Sequence, residues 1–485
     1  MFLKDSKLNI DNTYLEIDNK LYSKIEPNNI LKPKIELFNS DLALELGLNE
    51  TTFMTDEGLA FLTGNLKNEQ LTYYAQAYAG HQFGHFTMLG DGRALMLGEH
   101  VTPSNNRIDI QLKGSGRTPY SRRGDGKASL SSVLREYLMS EAMYHLGIPT
   151  TRSLAVLKTN ETIRRETYLD GAILVRTAKS HIRVGTFEFA YNFGGLETLQ
   201  KLADYTINRH YKHLNKVEDK YIKFFHEIII NQASLIAKWQ SVGFIHGVMN
   251  TDNMLVSGET IDYGPCAFMN TYNPATVFSS IDENGRYAYK NQPYIGSWNL
   301  SKLAETLLPL FSSNVNTAVD IANNELKLFE AKFKEFWYKE MSLKLGLLST
   351  ENTDKELIDE YLFILEKEGI DFTNSFRLLT ENGLSLHPLI QTDMYIEWHN
   401  KWVNRVQSTS RIEDALEIMK KHNPVAIPRN NLVEEALQQV IEHHDYSKYN
   451  DLLHIISNPY DYNSKLEDKY LNAIDTPNYV TYCGT

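Results

Sequence analysis

The chain is 485 residues long, 42% hydrophobic and 11% aromatic, with 49 Lys and Arg against 61 Asp and Glu for a formal net charge of −12. The length exceeds one compact core and predicts two or three lobes; the composition excludes a disordered chain, and the acidic balance argues against a nucleic-acid partner, which needs clustered cations. Two cysteines rule out a disulfide framework and a cysteine-based zinc site, while the lack of an apolar run of about 18 residues or of a secretory signal gives the expectation of a cytoplasmic protein without a membrane partner.

In chain order, residues 1–70 read as a mixed, polar N-terminal extension with one helix over 40–48, capped by Ser40 or Asp41. Strand-like runs follow at 94–101, 107–114, 152–159 and 172–178. In the second run Asp109, Gln111 and Lys113 alternate with Ile108, Ile110 and Leu112, the period of a half-buried strand. Between the second and third runs, 129–147 reads as a helix with Leu130, Val133, Leu134, Tyr137 and Leu138 on one stripe and Gly147 at its end. From about 181 the pattern turns helical, with helices expected over 221–242, 298–308 (Pro309 just beyond), 322–345, 354–369 and 432–443. Two strands, a helix and two strands resemble the small lobe of a kinase. The predicted architecture is therefore α+β: a protein-kinase-like bilobal fold with an N-lobe over 71–180, a C-lobe over 181–345 and a helical C-terminal extension over 346–485.

The segment 246–264, HGVMNTDNMLVSGETIDYG, carries the strongest chemical signal. In kinase-like phosphotransferases a His-Gly-Asp or His-Arg-Asp opens such a loop, and an Asn five residues after that Asp and a later Asp-x-Gly hold the metal ions. His246, Gly247, Asn253, Asp262 and Gly264 fit, but Val248 stands where the catalytic Asp belongs. Asp252, beside Asn253, is a carboxylate able to act as general base toward a hydroxyl. Catalysis is thus either lost or moved. Asn253 and Asp262 supply oxygen donors suited to Mg²⁺ or Mn²⁺.

Upstream motifs fit an anionic ligand. Gly90 and Gly92 flank Asp91 before Arg93, which suits close backbone approach to phosphates or simply a hairpin turn. Lys113 on a strand and Glu136 on the following helix can form the pair that orients nucleotide phosphates, with Glu141 as a competing partner. The stretch 117–127 holds four cationic groups against one Asp. Within it Gly124 and Gly126 precede a helix start, where anions bind. Asp125 between them can touch a ribose hydroxyl or a cation's water shell, or cap the helix. Arg176 and Arg183 can clamp a terminal phosphate or stay as surface charges. His81 and His85 are four apart, but the glycine between them argues against a metal-binding helix. Cys266, two residues after the Asp-x-Gly, and Cys483, third from the end, are either unrelated thiols or a reversible disulfide.

Six motifs in order, YAGHQFG (78–84), LGDGRA (89–94), LKGSGRTPYSRRGDGKA (112–128), RTAKSHIRVGTFE (176–188), HGVMNTDN (246–253) and IDYGPCAFM (261–269), together resemble the selenoprotein O family. The resemblance implies a kinase-like fold that binds ATP in a flipped orientation and transfers AMP to Ser, Thr or Tyr hydroxyls of proteins, releasing pyrophosphate. Carried over by residue, it implies that Lys113, paired with Glu136, binds phosphate. Gly90, Gly92, Arg93, Asp125, Gly126, Arg176, Arg183 and Asp262 would contact nucleotide, Asn253 and Asp262 would hold Mg²⁺ or Mn²⁺, and Asp252 would be the base. It further implies that Cys483, in the region where eukaryotic members carry selenocysteine, can pair with Cys266. The alternatives are UMP transfer from UTP with Mn²⁺, ordinary phosphorylation, or a non-catalytic nucleotide-binding scaffold. A monomer acting on protein substrates is expected.

Overall fold

The structure is a computed structural model that describes residues 3, 6–348, 351, 353–474 and 479–482. Seven strands, β1 (Tyr22–Lys24), β2 (Lys34–Phe38), β3 (Tyr74–Gln76), β4 (Ala94–Val101), β5 (Arg107–Lys113), β6 (Arg152–Arg164) and β7 (Tyr168–Ala178), form an antiparallel sheet in the order β1-β3-β4-β5-β7-β6-β2. The two-residue strands Ile10–Asp11 and Ala128–Ser129 join it against β4 and β7. β4 has the expected bounds, whereas β6 and β7 run on into a long hairpin. Both outer strands of the seven, β1 and β2, come from the polar segment 1–70, so part of that segment completes the sheet. The expected helix is shorter, Ser40–Glu45, its cap is Asn39, whose side chain accepts from Leu42 N, and two further short helices, Glu50–Phe53 and Asp56–Leu62, follow it where none was expected.

β5 departs from its half-buried expectation in an instructive way. Its polar side is buried as deeply as its apolar side: Asp109, Gln111 and Lys113 are 2%, 0% and 7% exposed. Each polar group on that side meets a partner instead of water. Asp109 accepts from Arg209 (2.5 Å) and from the His181 backbone N–H (2.8 Å), and Gln111 accepts from Arg176 Nε (2.8 Å). Period-2 patterning reports the two faces of a strand, not which of them meets solvent.

Helix α1 (Leu130–His145) packs behind the sheet with the expected apolar stripe buried. Ser129 caps its start, and Gly147 follows its end in a left-handed turn (φ +76°). Below the sheet lie α2 (Val184–Phe189), α3 (Lys220–Ser241), α4 (Gln292–Phe311) and α5 (Val315–Lys344). α3 delivers the chain through Gly243 to a two-stranded ribbon, Phe244–Ile245 with Ala267–Phe268, and the segment 246–264 is the loop between them. α4 is longer than expected: it starts six residues earlier and includes Pro309, because Leu307 and the largely buried Phe311 still face the core in its last turn. α5 starts at Val315, not 322, its exposed first turns fixed by the Asn314 side chain accepting from Thr317 N. A sheet lobe backed by one helix, joined to a helical lobe that bears this loop, is an α+β fold of kinase-like, bilobal design.

Beyond α5 the helices Thr353–Glu368, Phe372–Asn382, Asp393–Thr409 and Ile412–His422 enclose an aromatic stack in which Tyr361 and Trp398 lie 4.2 Å apart. The next two, Asn430–His443 and Ser447–Ile456, return to α1 and share its core. Tyr449 donates to the Leu134 carbonyl (2.8 Å) and Arg135 pairs with Glu434 (2.8 Å). The last helices therefore brace the helix that carries Glu136.

One charge sits badly in this scaffold. Lys344 is 2% exposed, and its ammonium lies 4.4 Å over the Phe376 ring and 3.3 Å from the His422 carbonyl. Burial pushes it down from 10.5 to about 7. Between those values the unfolded chain binds more protons than the folded one, so stability rises with pH there. The cost of burying the charge is complete below pH 7 and fades toward pH 10.5. Lys344→Met is expected to stabilise the protein by about 1–3 kcal/mol at pH 6–7, with the gain gone near pH 10, as measured by urea unfolding across that range.

Candidate active site

Eleven of the residues singled out in the sequence, Gly90, Gly92, Arg93, Lys113, Asp125, Gly126, Arg176, Arg183, Asp252, Asn253 and Asp262, line one cavity of 500 Å³ between the lobes. Glu136 stands behind Lys113. Sheet register explains the grouping: Lys113 is opposite Leu174 and Gln111 is opposite Arg176, so Lys113 and Arg176 emerge on the same face.

Asp262 is the hub. Its Oδ1 accepts from Lys113 Nζ (2.8 Å) and Arg176 Nη1 (2.6 Å), and its Oδ2 accepts from Arg183 Nη1 (3.0 Å). Glu136 takes the second bond of the first two cations, from Lys113 at 2.5 Å and Arg176 at 3.1 Å. Its rival Glu141 is held by Arg152 Nε (2.8 Å) and Nη2 (2.7 Å). Burial would raise the Asp262 carboxyl, but Lys113, Arg176 and Arg183 outweigh it and hold that carboxyl well below the usual range. Three cations thus converge on Asp262 and Glu136 at the back of the cavity, a cluster of donors suited to phosphates.

The wall formed by 88–93 is pressed against the loop 118–126. A Cβ on Gly90, whose φ is +126°, would lie 2.4 Å from the Tyr120 ring, so only glycine fits both the backbone and the contact. Asp91 is buried, accepting from Gln76 N (3.0 Å) and Gln111 Nε2 (3.2 Å), while its Oδ1 has no hydrogen-bond partner and lies 3.9 Å from Arg183. Asp125 accepts from Lys127 N (3.0 Å) and pairs with Arg165 (2.8 Å) from the tip of the β6–β7 hairpin. That bond closes a turn ahead of the helix, whose cap is Ser129 and not Asp125, and the Arg165 partner was legible in no pattern. Tyr78, Gln82 and Asn250 also line the cavity; the first two lie within YAGHQFG, a motif whose chemistry the residue types alone did not disclose.

The loop 246–264 divides its labour. His246 is buried beside Trp239 and Phe244, its Nε2 at 2.9 Å from the Ile261 carbonyl, and burial lowers its basicity, so it braces the loop. Val248 is buried and accepts through its carbonyl from Asn253 Nδ2 (3.0 Å), which commits the amide nitrogen and leaves the amide oxygen as the pole for a cation. Asp252 is 7% exposed, its Oδ1 buried without a hydrogen-bond partner. Burial pushes its carboxyl up to about 6, with Arg183 and a hydrogen bond from Gln82 pulling the other way. Arg183 Nη1 also donates to the Asp252 carbonyl (2.6 Å) and stacks 4.5 Å over Tyr78. Asp252 presses on the strand Ala79–Gln82, where a Cβ on Gly80 would lie 2.5 Å from its Oδ1.

His81 and His85 do not meet as ligands. They lie on the two strands of a hairpin, Ala79–Gln82 and His85–Met88, and His81 bonds to Glu188, which accepts from Thr251 Oγ1 (2.6 Å). No group of three or more His, Cys, Asp and Glu side chains suited to a metal occurs among the described residues. Asn253 and Asp262 offer two oxygen donors, a set that fits Mg²⁺ or Mn²⁺ only when phosphates and waters complete the shell. Cys266 is buried and free, its thiol pushed up to about 12 by burial; Cys483 lies outside the described residues.

A strand lysine paired with a helix glutamate, facing an Asp-x-Gly carboxylate across a cleft, places the chain in the kinase-like class. The family model described as "Protein adenylyltransferase SelO" matches residues 4–457, and the chain belongs to that family. It is 52% identical over 481 residues to a protein nucleotidyltransferase YdiU of Lachnoclostridium phytofermentans, covering 99% of each chain. It is likewise 52% identical to the YdiU proteins of Bacillus cytotoxicus, covering 98% of each chain, and Clostridium perfringens, covering 100% of this chain and 99% of the relative. A Leishmania major MAP kinase of solved structure aligns with 66% of this chain and 92% of its own at 8% identity and a TM-score of 0.21, too loosely to bear on fold or function.

The contact between Gly80 and Asp252 is testable. Gly80→Ala forces the Asp252 carboxylate to turn away, and if that carboxylate takes part in the reaction a displacement of this kind costs about a hundredfold in rate. The expected outcome is a loss of that size in turnover, with nucleotide affinity and melting temperature little changed, measured by steady-state kinetics, titration calorimetry and thermal unfolding.

Proposed function

We propose that the protein is an adenylyltransferase that moves AMP from ATP to Ser, Thr or Tyr hydroxyls of other proteins. The observation that carries this reading is the placement of Asp252: a buried, raised carboxylate with an unpartnered oxygen, beside the cation cluster, in a loop whose usual base position is Val248. Lys113, Arg176 and Arg183 suit the β- and γ-phosphates, deep in the cavity. The α-phosphate then lies toward Asp252, as the flipped nucleotide of the family resemblance requires. Asn253 and Asp262 would hold the divalent cation, which supplies charge neutralisation at the phosphates.

The chain's own residues account for the remaining chemistry. Asp252 accepts the proton of the acceptor hydroxyl as that oxygen bonds to the α-phosphorus. The bond from the α-phosphorus to its bridging oxygen breaks, and pyrophosphate leaves with the negative charge that Lys113, Arg176 and Arg183 already face. Incubation with ATP labelled at the α- or the γ-phosphate, alongside α-labelled UTP, tests the reading. Label should reach protein from α-labelled ATP and not from the γ position. Transfer from γ alone would mean kinase chemistry, preference for UTP would mean uridylylation, and no transfer at all would leave a nucleotide-binding scaffold. Asp252→Asn should lower the transfer rate by about 10²–10⁴-fold while nucleotide still binds; unchanged transfer would remove the base from this position.

We further propose that Cys266 and Cys483 form a regulatory disulfide. The described tail lies against the Cys266 flank: Thr481 Oγ1 donates to the Pro265 carbonyl (2.7 Å) and Ser280 N donates to the Thr481 carbonyl (3.0 Å). Cys483 follows two residues later. Exchange with a small-molecule disulfide would join the two sulfurs and release two equivalents of the small thiol. Mass analysis of protein equilibrated with oxidised glutathione should find this bond, and Cys483→Ser should abolish the dependence of activity on reductant. Equal reductant dependence in that variant would refute the pairing.

A further inference from the structure

A second groove opens beside the candidate active cavity, and the two share part of their lining, Phe83 and Ile281. The groove measures 540 Å³ and continues past Arg286 to Tyr294. Ile281 and Tyr294 are 57% and 68% exposed, a large apolar surface for a path that leads to a polar site. Arg286 is the unusual member. Its guanidinium lies 4.8 Å over the Trp298 ring and 5.7 Å from the Tyr287 ring, and its Nε is buried without a hydrogen-bond partner. Asp282, one of the two acids lining the groove, accepts through its two carboxylate oxygens from the backbone N–H groups of Arg286 and Tyr287, at 2.8 Å each. The groove's other acid, Glu283, is exposed, and neither forms an ion pair with Arg286 among the described residues.

A guanidinium held by aromatic faces keeps its planar edge for a carboxylate, which it binds bidentately. This one is also fixed relative to the proposed base. Tyr287, under Arg286, donates to Asn250 Oδ1 (2.5 Å), and the same oxygen accepts from Phe83 N (3.1 Å). Asn250 is two residues from Asp252. A ligand gripped at Arg286 is therefore held in register with the loop that carries Asp252.

We propose that this groove seats the acceptor polypeptide, with an Asp or Glu side chain of the acceptor on Arg286 and an apolar side chain across Ile281 and Tyr294, close in sequence to the modified hydroxyl. The proposal rests on the protein-nucleotidyltransferase reading above and adds an acceptor specificity to it. Continuity with the cavity and an unpaired, partly desolvated cation are the observations that favour an acidic, apolar peptide over other occupants.

The test uses the full-length protein, α-labelled ATP, and a set of hydroxyl-bearing peptides in which one flanking position is Glu, Gln or Lys. Wild type should label the Glu peptides best, through a lower KM. Arg286→Glu should raise KM for the Glu peptides by about tenfold or more, spare kcat, and reverse the preference toward the Lys peptides, because a like charge replaces the opposite one. Tyr294→Ala should raise KM for all three without altering their ranking. Nucleotide affinity, measured by calorimetry, should stay within about twofold in both variants, since neither side chain lines the cavity. A wild type that labels peptides without regard to flanking charge, or an Arg286→Glu variant that loses all three equally, would overturn the groove assignment and leave the transferase reading standing. A wild type that labels neither peptides nor proteins would overturn the transferase reading itself, and the groove assignment with it.

Discussion

Asp262 takes three cations from three separate places in the fold: Lys113 from the end of β5, Arg176 from β7, and Arg183 from the turn into α2. Besides backbone contacts such as Thr151 N to the Thr260 carbonyl (2.9 Å), the sheet lobe and the loop of the helical lobe meet at this carboxylate. Its backbone sits in the left-handed region (φ +63°), a conformation that costs a non-glycine residue roughly 1 kcal/mol or more and that the surrounding ion pairs over-determine. Without the Asp262 charge, Lys113 and Arg176 would keep Glu136, Arg183 would keep the more distant Asp91 at 3.9 Å, and the one group common to all three cations would be gone. Buried ion pairs of this kind are poor sources of net stability. Their value is positional: they keep an array of positive charge in place before any phosphate arrives, which is what electrostatic catalysis requires.

The C-terminal helices extend that logic outward. A kinase-like lysine is useful only while its glutamate stays in place, and here the helix bearing Glu136 is fixed from behind. Asn430–His443 and Ser447–Ile456 bury Val440, Tyr449 and Leu452 in the same core as Leu134 and Leu138, and Arg135 reaches both Glu434 and the Cys266 carbonyl. Arg429 ties this region to Asp371 and Asn270. α1 is consequently a wall held by packing on several sides, and its position is part of the folded core.

Much of this was legible in the chain. Periodicity located β5, α1 and α3, each of which has an apolar face and a clear end, such as Gly147 after α1, while β4 stood out as a short apolar run, Ala94 to Leu97, buried on both sides. The Lys113–Glu136 pair could be anticipated from order alone, and its rival Glu141 is excluded only by Arg152, a residue that no local pattern links to it. The sequence reading missed β1 and β2 because three- and five-residue strands in polar sequence carry too few alternations to register. It read the polar side of β5 as half-buried because pattern cannot distinguish a face in water from one paired with Arg209 and Arg176. Gly80 and Arg165 escaped notice for a related reason: their roles lie in what approaches them from Asp252 and Asp125, which are 172 and 40 residues away. Asp125 lost one of its three readings to nothing but a turn, Lys127 N at 3.0 Å, and acquired Arg165 besides.

Arg183 holds the Asp252 carbonyl and the Asp262 carboxylate through the same nitrogen, Nη1. Anything that draws that nitrogen aside loosens both acids together, so the two halves of the loop do not respond as separate parts. A substitution of Arg183 would therefore be felt at two places at once, at the backbone of 252 and at the side chain of 262, and its effect would not add simply to that of a change at Asp262.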